Sequence, residues 1–227
     1  MPSNNTIPRL PVELLEEIIS FAWHLPLPSS ERIMLMRSSA LVNSTWADIF
    51  DLLSSRDVYV PSSAFADHFL QRLRAQPPAG PTQMLRSANV ACQTLTIQLA
   101  NDNGANEHAR VPMGSVLDDL LEGFDAWSLA PNLRRLTVEY LDVGFDDVFR
   151  RISLAALPVQ VTHLELLYSF SPGMLARPLR SLQELKEAKQ SLKWTSTNIK
   201  NVSVVGAGEK TVKNLSRACP NAQVVSL

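Results

Sequence analysis

The chain has 227 residues, 45% of them hydrophobic and 19% charged, with a formal net charge of −1. That is enough apolar material for one large domain or for a small and a medium one, and the balanced charge excludes wholesale disorder. No run approaches the roughly eighteen apolar residues of a membrane span, and the opening MPSNNTIPRLP lacks a basic start followed by an apolar stretch, so neither a membrane nor a secretory route is expected.

Residues 1–9 read as a flexible tail. The spacing predicts a first helix over about 11–23, with apolar residues at Leu10, Leu14, Ile18 and Phe21 and a second stripe at Leu15 and Ile19. Pro11 suits a first helical position, and Glu13, Glu16 and Glu17 sit near the positive end of the helix dipole. Two stripes are more than one helix needs to cover one core, so the second requires a neighbour, either in the chain or on a partner. The helix stops in Leu25-Pro26-Leu27-Pro28, where proline cannot continue it. Ser29-Ser30-Glu31 starts a second helix with Ile33, Leu35 and Met36 as apolar content, and Met34 and Met36 read as core filler. A third helix carries Leu41, Val42, Trp46, Ile49, Phe50 and Leu53.

Leu10-Pro11, Glu13, Leu14-Leu15, Ile18 and Phe21, followed by Val42 and Trp46, resemble the F-box, a three-helix module spanning residues 10–53 here. Asn43 stands where many members have Cys, and the connector from Trp23 to Ser30 is longer than usual. The resemblance implies docking onto the Skp-type adaptor of SCF ubiquitin ligases, and through it onto a cullin. It also implies that Leu10, Pro11, Leu14, Leu15 and Ile18 make the contact, supported by Val42 and Trp46.

Beyond the third helix, Asp57-Val58-Tyr59-Val60-Pro61 reads as a strand, and Ser62-Ser63 caps a helix with Phe65, Phe69, Leu70 and Leu73 on one side. Gln76 to Pro81 is a connector. A repeat then emerges. Pro131-Asn132-Leu133-Arg134-Arg135-Leu136-Thr137-Val138 and Pro220-Asn221-Ala222-Gln223-Val224-Val225-Ser226-Leu227 share the template Pro-Asn-φ-x-x-φ-x-φ, φ being apolar. Its core recurs at Cys92/Leu95/Ile97, Val161/Leu164/Leu166 and Ile199/Val202/Val204. Helical stretches are expected between them, at Val116 to Leu129, Asp146 to Leu157, Leu182 to Leu192 and Glu209 to Ala218. Strands alternating with helices imply right-handed crossovers and a parallel sheet.

The expected fold class is therefore α/β: an F-box-like helical domain, then residues 54–227 as an irregular solenoid resembling leucine-rich repeats. A doubly wound sheet built from the same strands is the alternative. Stacked repeats would place Arg134, Thr137, His163, Glu165 and Ser203 on one exposed face, where repeat proteins put recognition. The last strand would present an open edge, covered by a partner or by chain beyond Leu227.

Catalytic signatures are missing from the pattern. His24, His68, His108 and His163 share no ligand spacing, and Asp118-Asp119 and Asp146-Asp147 each open a predicted helix. Val205-Gly206-Ala207-Gly208-Glu209-Lys210-Thr211 lacks the Walker spacing and reads as a strand-to-helix turn. No enzyme activity, cofactor or metal is expected. Cys92 and Cys219 fit buried thiols in the cytosol or nucleus. Residues 177–227 hold nine Lys/Arg against three Asp/Glu, whereas 81–176 hold six against eleven. The basic end could meet an acidic partner, but the preferred reading is a solvated helix face, with no nucleic-acid motif.

The function expected is substrate recognition in an SCF-type ligase, the target protein being unknown. An F-box protein outside ubiquitination, or a solenoid scaffold whose first helices are buried against Val58 and Val60, are the alternatives.

Overall fold

The computed structural model describes residues 10–74, 91–100, 117, 120–124, 129–141, 157–169 and 196–227. The chain divides into two compact units, Met1–Ser55 and Arg56–Leu227.

The first unit is helical: α1 (Val12–His24), α2 (Ser29–Ser39) and α3 (Ser44–Arg56), the last ending one residue into the second unit. Helix α1 begins one residue later than its sequence pattern predicts. Pro11 is its N-cap, with φ −55° and ψ 145°, and the Pro11 carbonyl accepts the Leu15 N–H at 3.2 Å. Proline's fixed φ fits that extended cap geometry as well as it fits a first turn. Helix α3 also departs from its pattern, because Leu41 and Val42 lie in the turn before it. Asn43 is the reason. Its Oδ1 accepts the Trp46 N–H at 2.9 Å, the bond of an N-cap, so the helix starts at Ser44.

The centre of this unit is small. Ile19, Trp23, Phe50 and Leu53 are its buried hydrophobics, and the Trp23 and Phe50 rings meet edge-to-face at 5.3 Å. Arg32 of α2 fastens the end of α1. Its guanidinium lies 5.3 Å from the Trp23 ring centroid and donates to the Trp23 and Leu25 carbonyls at 2.6 and 2.8 Å. Those carbonyls are left over at a helix C-terminus, where a cation is favoured.

The second unit is built on a six-stranded, wholly parallel sheet: β1 (Asp57–Val60), β2 (Thr94–Ala100), β3 (Arg135–Leu141), β4 (His163–Ser169), β5 (Asn201–Val205) and β6 (Gln223–Ser226). Their spatial order is β1-β2-β3-β4-β5-β6, the order of the chain. Nowhere does it reverse, whereas a doubly wound sheet requires a reversal. Helix α4 (Ser63–Arg74) follows β1, residues 120–124 are helical, and α5 (Glu209–Ala218) joins β5 to β6. Ser62 caps α4, its hydroxyl accepting the Phe65 N–H at 3.3 Å.

Register explains the recurring template. Leu95, Leu136, Leu164 and Val202 stand side by side, as do Ile97, Val138, Leu166 and Val204, and all are at most 5% exposed. The first apolar position of each repeat, Cys92, Leu133, Val161 and Ile199, is fully buried at the turn below the strand. Turn N–H groups pair with the preceding repeat: Arg134 with the Gln93 carbonyl, Thr162 with Arg134, and Lys200 with Thr162, at 2.8–2.9 Å.

The last repeat is a correction. Its template aligns Val225 and Leu227 with buried positions, but Val202 pairs with Val224, and Val224 packs against the core. Val225 and Leu227 are 42% and 79% exposed. With valine at both 224 and 225 the pattern fits either register, and a slip of one residue reverses every face.

The expected helix over 146–157 is described only at its last residue, Leu157, which is buried and not helical; the helix over 182–192, the connector at 76–81, the tail at 1–9, His108, and the pairs Asp118-Asp119 and Asp146-Asp147 lie outside the described residues.

Candidate partner-docking surfaces

Helix α1 carries two apolar sides, and burial distinguishes them. Leu15 is half-buried, and Ile19 and Trp23 are 2% and 3% exposed; they form the inner side. Leu14, Ile18 and Phe21 continue along the other side at 45%, 46% and 71% exposed, and Leu10 is 56% exposed. At 3.6 residues per turn Leu14, Ile18 and Phe21 fall on one stripe, with Glu13 and Glu17 beside it, whereas Leu10 precedes the N-cap Pro11. Of the expected contact residues, then, Leu10, Pro11, Leu14 and Ile18 face solvent, while Leu15 is turned toward the unit's own centre.

Val42 is exposed in the turn before α3. Trp46 is half-buried, and its indole Nε1 is enclosed without a hydrogen-bond partner. A buried donor left unpaired costs about 1–3 kcal/mol. Met34, read as core filler, is exposed, and Leu41 and Leu52 are exposed as well. The sequence pattern gave no sign of these three, because each falls among residues whose spacing fits a core.

In the second unit the polar strand positions form ladders on the face opposite the core. Tyr59, Thr96, Thr137, Glu165 and Ser203 share one row, and Gln98 and Glu139 share the next. The Tyr59 hydroxyl donates to Glu139 at 3.2 Å and the Thr137 hydroxyl donates to Glu165 at 3.1 Å. His163 is held at both ring nitrogens, by Thr162 Oγ1 at 2.9 Å and Asn201 Nδ2 at 3.0 Å. Two expectations fail here. Thr137 is buried, and the residue in line with His163 is Arg135, since Arg134 precedes the strand. Arg134 instead donates to the Pro131 carbonyl at 3.1 Å, tying its own turn.

Gly206 stands where the chain leaves β5 for α5, with φ +74°. A Cβ there would collide with the Tyr168 carbonyl oxygen, so close backbone approach accounts for this glycine. Tyr168 stacks on Tyr140 with centroids 4.7 Å apart. The Tyr140 hydroxyl is enclosed without a partner, and burial raises both phenols above their ordinary range. Burial likewise pushes the Cys92 thiol up to about 12 and the Cys219 thiol up to about 11, so both stay protonated at neutral pH. Among the described residues no group of three or more His, Cys, Asp or Glu could hold a metal ion, and no helix is long and apolar enough to cross a membrane.

No family model matches the chain, and no curated protein and no solved structure matches it.

Proposed function

We propose that this chain is a substrate-receptor subunit of an SCF-type ubiquitin ligase, acting in the cytoplasm or nucleus. Its first unit would serve as an F-box, docking on a Skp-type adaptor and through it on a cullin. The repeat region, read as an irregular leucine-rich-repeat-like solenoid, would hold the target protein. The subunit would perform no chemistry; it would raise the target's effective concentration at the ligase.

One observation carries the reading. Leu14 and Ile18 are 45% and 46% exposed on the same helix whose inner residues Ile19 and Trp23 are 2–3% exposed, and Leu10, just before that helix, is 56% exposed. Exposed apolar residues along one side of a helix are what a docking F-box would present, and Val58 and Val60 belong to the core of the sheet. The solenoid reading is supported by strands that follow chain order in an unbroken parallel sheet, since each connection must then step the same way.

Co-purification of the full chain with a Skp-type adaptor and cullin tests the proposal. Each anchor is about half exposed, so docking would bury roughly half of the 1.5–3 kcal/mol available to a leucine. Replacing Leu10 and Leu14 together by alanine should cost about 1.5–3 kcal/mol, or roughly 10- to 150-fold in affinity. Unchanged adaptor binding in that variant would defeat the F-box reading.

A further inference from the structure

The polar side of the sheet is closed in one part and open in another. Leu73 of α4 and Leu215 of α5 belong to one core with Leu136 and Leu164, so the alternate strand positions lie on the side away from these helices. Of those positions, Tyr59, Gln98 and Thr137 are buried. Elsewhere on β3 and β4, Arg135, Leu141 and Ser169 are exposed, while His163, Glu139 and Glu165 are half-buried. Both strands are paired on either edge, so this part of the sheet meets a partner through side chains alone.

Its charges are sorted along the strands. Arg135 stands beside His163 where the strands begin; Glu165 comes two residues later, and Leu141 closes the series beside Ser169. Successive residues on one side of a strand are about 7 Å apart. The surface therefore runs from a cation, through a carboxylate, to an apolar end. Arg135 and Glu165 are diagonal neighbours of opposite sign, yet neither forms an ion pair among the described residues. Glu165 instead accepts the buried Thr137 hydroxyl at 3.1 Å, a neutral partner that holds the carboxylate in place and leaves its charge uncompensated. His163 is likewise fixed between Thr162 and Asn201. Groups already held in position cost less to order when something binds.

We propose that this surface docks an extended segment of a partner protein carrying an acid, a base two residues away and an apolar residue four beyond the base. An extended chain repeats its side chains on one face at the same spacing of about 7 Å, so the segment matches the series row by row. The acid meets Arg135, a lysine on its flexible stem reaches the half-buried Glu165, and the apolar residue rests on Leu141. This deepens the function proposed above by naming the chemistry of a target segment, and it rests on that reading only in calling the partner a target. Binding is measured on the full chain without any adaptor, so either idea can fail alone.

The test uses end-capped serine peptides of about seven residues, one with Asp first, Lys third and Leu seventh, the other with Asp and Lys exchanged. Each is also made in reverse order, so that both chain directions are covered. The two have equal net charge, and only the placement of charge differs. Titration of the full chain, followed by backbone amide NMR shifts, should show the matched peptide binding roughly tenfold tighter than its exchanged form in one direction, with shifts around Arg135, His163, Glu165 and Leu141. Salt should shrink that advantage. Arg135→Glu with Glu165→Arg should reverse the preference at an unchanged urea midpoint, and Arg135→Gln, at an exposed position, should cut it about threefold. Equal binding of matched and exchanged peptides in both directions, no binding, or shifts confined to other surfaces would overturn the proposal. A concentration-dependent dimer broken by Arg135→Glu and restored by adding Glu165→Arg would also overturn it, in favour of self-pairing.

Discussion

The two units of this chain handle their apolar residues in opposite ways. Among the described residues, the first unit buries four large hydrophobics, Ile19, Trp23, Phe50 and Leu53, and exposes nine. The second buries thirty-two hydrophobic residues and exposes four large ones, Leu141, Val159, Val225 and Leu227. Size accounts for part of this, since a short helical unit has little interior to offer. It does not account for the arrangement, in which Leu14, Ile18 and Phe21 line up along one side of one helix, just after an exposed Leu10. Among the described residues, the helical unit exposes more large apolar side chains than it buries.

Substitutions within each core should give the largest effects. Leu136 is fully buried in the third strand, and Leu136→Ala should destabilise the repeat region by about 2–5 kcal/mol in urea unfolding. Trp23→Ala should cost a similar amount, about 3–5 kcal/mol, by removing both the Phe50 contact and the surface under Arg32. It should abolish adaptor binding by unfolding the site rather than by altering it, which loss of helical circular dichroism would show. Gly206→Ala should follow, costing about 1–3 kcal/mol for a left-handed alanine facing the Tyr168 carbonyl. Asn43→Ala should cost about 1 kcal/mol through the lost cap of α3, with Asn43→Asp restoring most of it.

A further effect, confined to alkaline pH, is a pH dependence of the second unit. Burial, with the charge of Asp57 adding to it, lifts the Cys92 thiol from 9.0 to about 12. The folded value lies above the unfolded one, so the thiol's contribution is fully present below about pH 9 and is lost as pH rises toward 12. Cys92→Ser should flatten that part of a stability-against-pH curve, and a thiol reagent should leave the folded protein unlabelled at neutral pH.

Much of the second unit could be read in advance because its rule is local. A turn residue, two spacers and two alternating apolar positions recur often enough to fix Leu95, Leu136, Leu164 and Val202 in one row. The rule failed at β6, where adjacent valines leave the phase open, and at Arg134, whose carbonyl-binding role depends on the turn around it. The first unit was harder. Leucine and isoleucine surround α1, so spacing reveals two stripes without saying which is inside; only the meeting of Ile19, Trp23 and Phe50 decides it. Leu41 and Val42 fit helical spacing and lost to the Asn43 cap. The grip of Arg32 on the end of α1 left no periodic signal at all.

The difference between the two sides of α1 can be measured in one paired experiment. Urea unfolding and calorimetric titration with a Skp-type adaptor would be run on the full chain, on Leu14→Ala with Ile18→Ala, and on Ile19→Ala. The account predicts that the outer pair keeps stability within about 0.5 kcal/mol per site and weakens adaptor binding by roughly 10- to 150-fold. Ile19→Ala should lose about 2–5 kcal/mol of stability in the first unit. An outer pair that unfolds the helices, or that binds the adaptor as tightly as the unaltered chain, would contradict it.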